Sequence, residues 1–308
     1  MAKPWRGALP PDFQFAFEPA LFNLPLHRQL QAATAWESFY LLDEAKNLIT
    51  AAIHFHLDPP VAMSPRRATF GGLESAASLG EEEKIQLLTF SSKELAESGI
   101  HTVIVKQCAA FGIPRSEEDF FLKAGFHVKL SETDAFIHVD EDYEKKIQSR
   151  KAKKLRSLRR MDYSAQPLSL THLSEVYLFI LKAREQKGYT LSMTLEQMQE
   201  LANHFPDRVL LFGARKKELM VAASICLKVK TNWLYDFYHD HDAVHDAESP
   251  VVLLMDAMYQ YCRDHFIQWL ELGTSMHGDQ VNEGLILFKE RLGAERVIKN
   301  TYEKTIRS

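Results

Sequence analysis

The chain has 308 residues, 46% of them hydrophobic and 25% charged. At roughly 100–200 residues per domain, that composition supports two packed cores and excludes disordered, collagen-like and disulfide-scaffold chains. Net charge is −4, which taken alone argues against a dedicated nucleic-acid binder. The longest apolar run of the second half, Val251 to Met255, stops at Asp256, well short of the about 20 residues a membrane span needs. The opening MAKPWRGALPPDF carries no apolar stretch of the kind a secretory leader requires. Cys108, Cys226 and Cys262 show no metal-type spacing and sit among apolar residues, which predicts reduced core thiols in a cytoplasmic protein.

In the first half, FYLLDE (39–44) and LITAAIHFHL (48–57) predict paired strands, with His54 and His56 on one side. Turn residues Gly71, Gly72 and Gly80 punctuate 63–80. A helix follows over 81–99, with Glu81, Glu82 and Glu83 in its first turn, Ile85, Leu88 and Leu95 inward, and Gly99 as its stop. HTVIVKQC (101–108) reads as a strand. SEEDFFLKAGF (116–126) reads as a helix with Ser116 as N-cap and Gly125 as its end. Residues 126–140 read as two short strands around a turn.

Residues 143–162 carry nine Lys/Arg against Glu144 and Asp162, so this segment is +7 and the rest of the chain −11. Tyr143, Ile147, Lys151, Leu155 and Leu158 recur at helical spacing, leaving one stripe to pack and a basic face to meet solvent or phosphate. Its position near mid-chain suggests a helix joining two domains, 1–142 and 163–308. Beyond it come helices over 171–189 and 194–205 and a strand series over 207–240. A helix over 249–266 follows, with Ser249 as N-cap and Pro250 at N1. Strand 267–273, helix 282–294 closed by Gly293, and strand 295–306 complete the chain. Each half therefore runs strands, helix, strand, helix, strand, a mixed α/β order. Phe120 and Phe288 each stand five residues before a glycine, Gly125 and Gly293, with a Lys between and a strand after. That echo suggests a duplicated domain.

Asn282 to Ala294 is similar to the helix ending N-x-x-A-x-x-x-Y-K-x-x-G-F of the GNAT acyltransferase superfamily, and DFFLKAGF (119–126) resembles the same ending. Two such halves and a basic helix resemble the Fem-type peptidoglycan aminoacyltransferases and related tandem-GNAT proteins. The resemblance implies an α/β (α+β) fold of two GNAT-like domains, each a mixed sheet flanked by helices. It further implies an acyltransferase that moves an acyl group from a thioester such as acyl-CoA to an amine, with no tightly bound cofactor. The alternatives are an aminoacyl-tRNA-dependent, Fem-like enzyme and a non-catalytic binding protein that kept the fold. GNAT enzymes bind the CoA pyrophosphate on a Q/R-x-x-G-x-G/A loop at a helix N-terminus. Before the helix at 249–266 stands HDHDAVHDAESP (239–250), without glycine and with four carboxylates. PRRATFGGLESAASLG (65–80) is closer to a phosphate loop through Arg66, Arg67, Gly71 and Gly72. The family's leaving-group tyrosine is Phe288 here.

Strand NWLYDFYHD puts Trp233, Tyr235, Phe237 and His239 on one face and Asp236, Tyr238 and Asp240 on the other. In the GNAT architecture this strand borders the cleft, so Asp236 and His239 are the candidate bases and Tyr238 a further catalytic candidate. His241, Thr274, Ser275 and Asn282 are expected to bind substrate, and the four carboxylates suggest a cationic or amine acceptor. Lys289, Lys153 and Lys154 join Arg66, Arg67, Gly71 and Gly72 as candidates for donor or phosphate binding. Residues 145–160 are the expected contact for tRNA or an anionic carrier. His239, His241 and His245 combine a strand spacing with a helical one that cannot both be regular, so no metal is expected.

Overall fold

The structure is a computed structural model that describes residues 2–108 and 119–306; the expected N-cap Ser116 lies outside the described residues. The chain divides into two compact units, Met1–Glu132 with Ile298–Ser308, and Thr133–Val297.

Unit 1 runs β1 (Lys3–Arg6), β2 (Gln14–Phe15), α1 (Pro25–Gln31), β3 (Trp36–Asp43), β4 (Leu48–Asp58), β5 (Val61–Ser64), β6 (Glu74–Ser75), α2 (Glu81–Glu97), β7 (Thr102–Lys106) and α3 (Asp119–Lys123) into the start of β8 (His127–His138). β1, β3, β4 and β5 pair antiparallel in that order, and β5 pairs parallel with β7 across the crossover helix α2. β3 and β4 have two unlike faces. Phe39, Leu41, Ile53 and Phe55 bury completely against Leu87, Leu88 and Leu95 of α2. At about 1.5–3 kcal/mol per fully buried large side chain, this face supplies the core. The other face carries Trp36, Ser38, Tyr40, His54 and His56. The acidic first turn of α2 closes on itself, with Gly80 N–H donating to Glu83 Oε2 at 3.1 Å.

Unit 2 completes β8 and continues through α4 (Tyr143–Lys146), α5 (Ser149–Arg159), β9 (Tyr163–Leu168), α6 (Leu173–Gln186), α7 (Leu195–His204), β10 (Val209–Lys216), β11 (Leu219–Lys230), β12 (Trp233–His241) and α8 (Val251–Asp264). It ends with β13 (Trp269–Thr274), the short hairpin β14 (Met276–His277) and β15 (Gln280–Val281), α9 (Glu283–Arg291) and β16 (Glu295–Thr305), whose last residues return to unit 1. Its sheet order is β9, β10, β11, β12, β13, β8, antiparallel except for the β12–β13 pair that α8 connects. α8 buries Val252, Leu254, Met258, Tyr259 and Cys262 in the core of this unit.

Three sequence expectations change. The basic segment is not a joining helix: it breaks at Ile147 into α4 and α5 and lies within unit 2. Tyr143, Ile147, Ala152, Leu155 and Leu158 are part of that unit's core, because the apolar stripe finds its partner on α8. The units accordingly divide inside β8, at 132/133, and residues 298–308 belong with the first one. The turn expected within 126–140 is absent: β8 is one strand, its Ser131 hydroxyl bonded to Asn300 at 2.8 Å and its Thr133 carbonyl accepting from Ser275 N–H at 2.7 Å. The paired glycines do match. Gly125 and Gly293 end α3 and α9 at φ +83° and +89°. In each case the next residue donates back to the helix, Phe126 N–H to Phe121 and Ala294 N–H to Lys289, the left-handed C-terminal cap that glycine permits.

Candidate active site

β12 and β13 pair in parallel over Trp233–Tyr235 and Trp269–Glu271 and form no further pairs. Both strands run on past that point, β12 to His241 and β13 to Thr274. The opening is a cavity of about 660 Å³, lined by Tyr235 through His241 on one side, Leu272 to Thr274 on the other, and Asn282, Phe288 and Lys289 around α9. Tyr238 is missing from that lining. Gly273, at φ +72°, stands where the Tyr235 ring crosses; a Cβ there would meet the Tyr235 Cε2 at 3.2 Å.

Strand alternation places Asp236 and His239 on opposite faces, and the structure overrides this. Tyr238 pairs with Ile225 and Asp236 with Cys226, so Phe237 has no partner and forms a β-bulge. One extra residue reverses the parity of everything after it. His239 Nδ1 thereby reaches Asp236 Oδ2 at 2.6 Å, and the Asp236 side chain is completely buried while His239 keeps 21% exposure. The other Asp236 oxygen accepts from the Ser224 hydroxyl at 2.6 Å. The contact with His239 is an ion-pair distance without hydrogen-bond geometry, and Asp236 Oδ2 is buried with no hydrogen-bond partner. Cys226 approaches Asp236 at 4.0 Å, but burial and that carboxylate push its thiol well above the ordinary range, so it supplies no thiolate.

Tyr238 turns the other way. Its hydroxyl accepts from Met193 N–H at 3.0 Å and bonds the Ser192 hydroxyl at 2.5 Å, and burial raises its pKa. It anchors the α6–α7 connection.

The carboxylates after β12 do not form a free anionic patch. Asp240 is paired with Arg184 at 3.3 Å and Lys187 at 2.5 Å. Asp242 caps Val244 N–H, and Asp246 meets His241 Nε2 at 2.6 Å. Counting Arg184, Lys187 and Lys289 against Asp236 and Asp240, the cavity wall has one more cation than carboxylate. The cationic-acceptor expectation therefore loses its basis. Arg184 and Lys187, spaced i, i+3 at the end of α6, went unread because their target is another strand.

Thr274 lines the cavity. Ser275 is buried and away from it. Asn282 lines the wall while its Oδ1 caps α9 by accepting from Leu285 N–H at 3.0 Å. Lys289 is 4% exposed and donates to the Gly273 and Thr274 carbonyls at 2.7 and 3.0 Å. It is fixed at the base of the cleft instead of reaching outward for a phosphate.

The phosphate loop read in unit 1 is already satisfied. Arg66 and Arg67 N–H both donate to Gln31 Oε1, Gly71 N–H to Lys106 O, and Gly72 N–H to Ser64 Oγ. A Cβ on Gly71 would come within 2.9 Å of Pro65 N. These glycines serve close packing. Of the α5 lysines, Lys154 donates to Ala247 O at 2.9 Å and Lys153 is exposed. No group of three metal-ligating residues occurs among the described residues, and no helix there is long and apolar enough to cross a membrane.

No family model and no curated protein sequence matches the chain. Its likeness is in the fold. A crystal structure of FemX superposes with a TM-score of 0.72 at 12% identity, covering 94% of each chain. L-PGS from Bacillus licheniformis gives 0.55 at 14% identity, over 84% of this chain and 82% of that one. A tandem GNAT protein from the clavulanic acid biosynthesis pathway gives 0.52 at 11% identity, over 91% and 86%. The chain has the tandem-GNAT, Fem-like fold, two GNAT-like units in one polypeptide.

Proposed function

We propose that the chain transfers an acyl or aminoacyl group from an activated ester or thioester to an amine, with the chemistry in the cavity of unit 2. The observation that carries this is the bulge-made pair of His239 and buried Asp236, with His239 at the cavity wall. An amine must be neutral to attack. His239 Nε2 takes its proton as the new C–N bond forms at the donor carbonyl, and Asp236 holds the resulting imidazolium. Lys289 places positive charge beside the Gly273–Thr274 carbonyls, where the developing oxyanion gains from it. When the tetrahedral intermediate collapses, the C–O or C–S bond breaks and His239 returns its proton to the departing atom. No tyrosine at position 288 is needed for that return.

An aminoacyl ester donor is favoured over acyl-CoA. The stretch before α8 is glycine-free, and the backbone N–H groups of Val252 and Leu253 already bond Ser249 O and Pro250 O, so a pyrophosphate would find few open donors. The superposition with FemX and the exposed cations Lys145, Arg150, Lys153 and Arg160 support the same choice. Calorimetric titration of the purified chain with acetyl-CoA and, separately, with aminoacylated bulk tRNA tests it. Saturable heat with charged tRNA at low salt, weakening as salt rises, is the expected result. Micromolar binding of acetyl-CoA alone overturns the donor assignment. Binding of either donor without amide formation on any amine favours a non-catalytic protein.

A further inference from the structure

Two cations at the end of α6 share a single carboxylate at the wall of the unit 2 cavity. Lys187 Nζ meets Asp240 Oδ1 at 2.5 Å and Arg184 Nε approaches Oδ2 at 3.3 Å. Asp240 Oδ1 also accepts from His241 N–H at 2.7 Å, and its side chain is 8% exposed. The carboxylate is thus fully engaged, whereas the cations are not. Arg184 Nε lies at ion-pair distance without hydrogen-bond geometry. Arg184 Nη2 donates to the His239 carbonyl at 3.1 Å, which puts the guanidinium beside the backbone of the candidate base. Among the described residues Nη1 has no acceptor. Arg184 and Lys187 keep 30% and 32% exposure, and both line the cavity.

The other acidic groups nearby do not balance this charge. Asp236 is completely buried against His239 and Ser224, and Asp246 is paired with His241 Nε2. Positive charge in excess beside His239 disfavours an ammonium ion and so favours the neutral, nucleophilic form of an amine. The same excess attracts an anionic group, and a carboxylate reaching a guanidinium and an ammonium together gains charge-assisted hydrogen bonds from both.

We propose that the amine acceptor of this cavity carries a carboxylate close to its amine, as an amino acid does, and that Arg184 and Lys187 bind that carboxylate. The inference rests on the acyl-transfer reading of unit 2 and adds the class of acceptor. The purified full chain is titrated by calorimetry with L-lysine and with cadaverine, which share a carbon chain and a terminal amine and differ by the carboxylate. Saturable binding of L-lysine, at least about tenfold tighter than that of cadaverine, is the expected result. Lys187→Met leaves the Arg184–Asp240 pair in place and should reduce the preference. Asp240→Asn releases both cations and should strengthen L-lysine binding. A purely structural salt bridge would not give these opposite signs, so affinities that fall together or stay unchanged overturn the proposal. So do equal binding of the two amines and absence of saturation with L-lysine. The titration needs no donor, so bound L-lysine that is never acylated counts against the transfer reading alone, while equal acylation of cadaverine counts only against the carboxylate.

Discussion

Asp236→Asn separates the catalytic reading from a structural one. The replacement is nearly isosteric, and its carbonyl oxygen can still accept from Ser224, now at 2.6 Å from the carboxylate. What changes is the edge facing His239. An amide N–H turned toward Nδ1, now 2.6 Å from the carboxylate, selects the other tautomer, leaving Nε2 protonated and unable to accept the amine's proton. Loss of a charged hydrogen bond costs about 1.5–3 kcal/mol of stability, so the protein stays folded. Loss of the general base lowers turnover by about 10²–10⁴-fold, or about 3–5.5 kcal/mol of barrier. Amide formation would be followed under single-turnover conditions with whichever donor binds, alongside thermal unfolding of the same preparation. His239→Gln should cost as much, and the double variant little more than either, because the two residues act as a unit. Full turnover in folded Asp236→Asn, or losses that multiply in the double variant, would refute the dyad.

Three further measurements examine the fold. Leu155, fully buried in the core of unit 2, should cost about 2–5 kcal/mol on truncation to Ala; a neutral result by denaturant unfolding would return the basic segment to the status of a surface linker. Gly273→Ala combines φ +72° with a 3.2 Å approach to Tyr235, so about 1–3 kcal/mol should be lost together with activity; a fully stable, active variant would mean the cleft wall is pliable. Burial lowers His27 from 6.5 to about 4. Between those pH values the unfolded chain binds a proton that the folded one refuses, so its contribution to stability is intact above pH 6.5 and lost as pH falls toward 4. The thermal midpoint should drop across that window by more in the parent than in His27→Gln, and parallel profiles would disprove the assignment.

Local pattern made the elements legible, and cross-strand geometry hid the site. The acidic start of α2 and the glycines ending α3 and α9 could be read, because each feature acts within one turn of its own residues. By contrast, α8 starts one residue later than expected, with Pro250 and not Ser249 as its N-cap. Asp236 and His239 could be nominated by residue type and position. Their partnership could not, since it depends on where Phe237 fails to pair with β11, a property of the neighbouring strand. The same limit hides the partners of the acidic stretch 240–248. Its Asp240 is paired with Arg184 and Lys187, more than fifty residues upstream. The basic segment failed differently: its stripe was recognised, but a stripe does not say which core it joins.

The two halves are not equivalent at the point where chemistry is proposed. In unit 2 the parallel pair separates after three residues, and β12 continues for six more carrying the Asp236–His239 pair along the opening. In unit 1 the corresponding strand β5 is four residues long, and all four pair with β7. Ser64 ends it, directly before Pro65, and contributes its hydroxyl to Gly72 N–H. A strand that closes fully against its neighbour leaves no wedge for a reacting carbonyl, and β5 has neither a carboxylate nor a histidine to serve as base. That asymmetry supports assigning the proposed chemistry to unit 2.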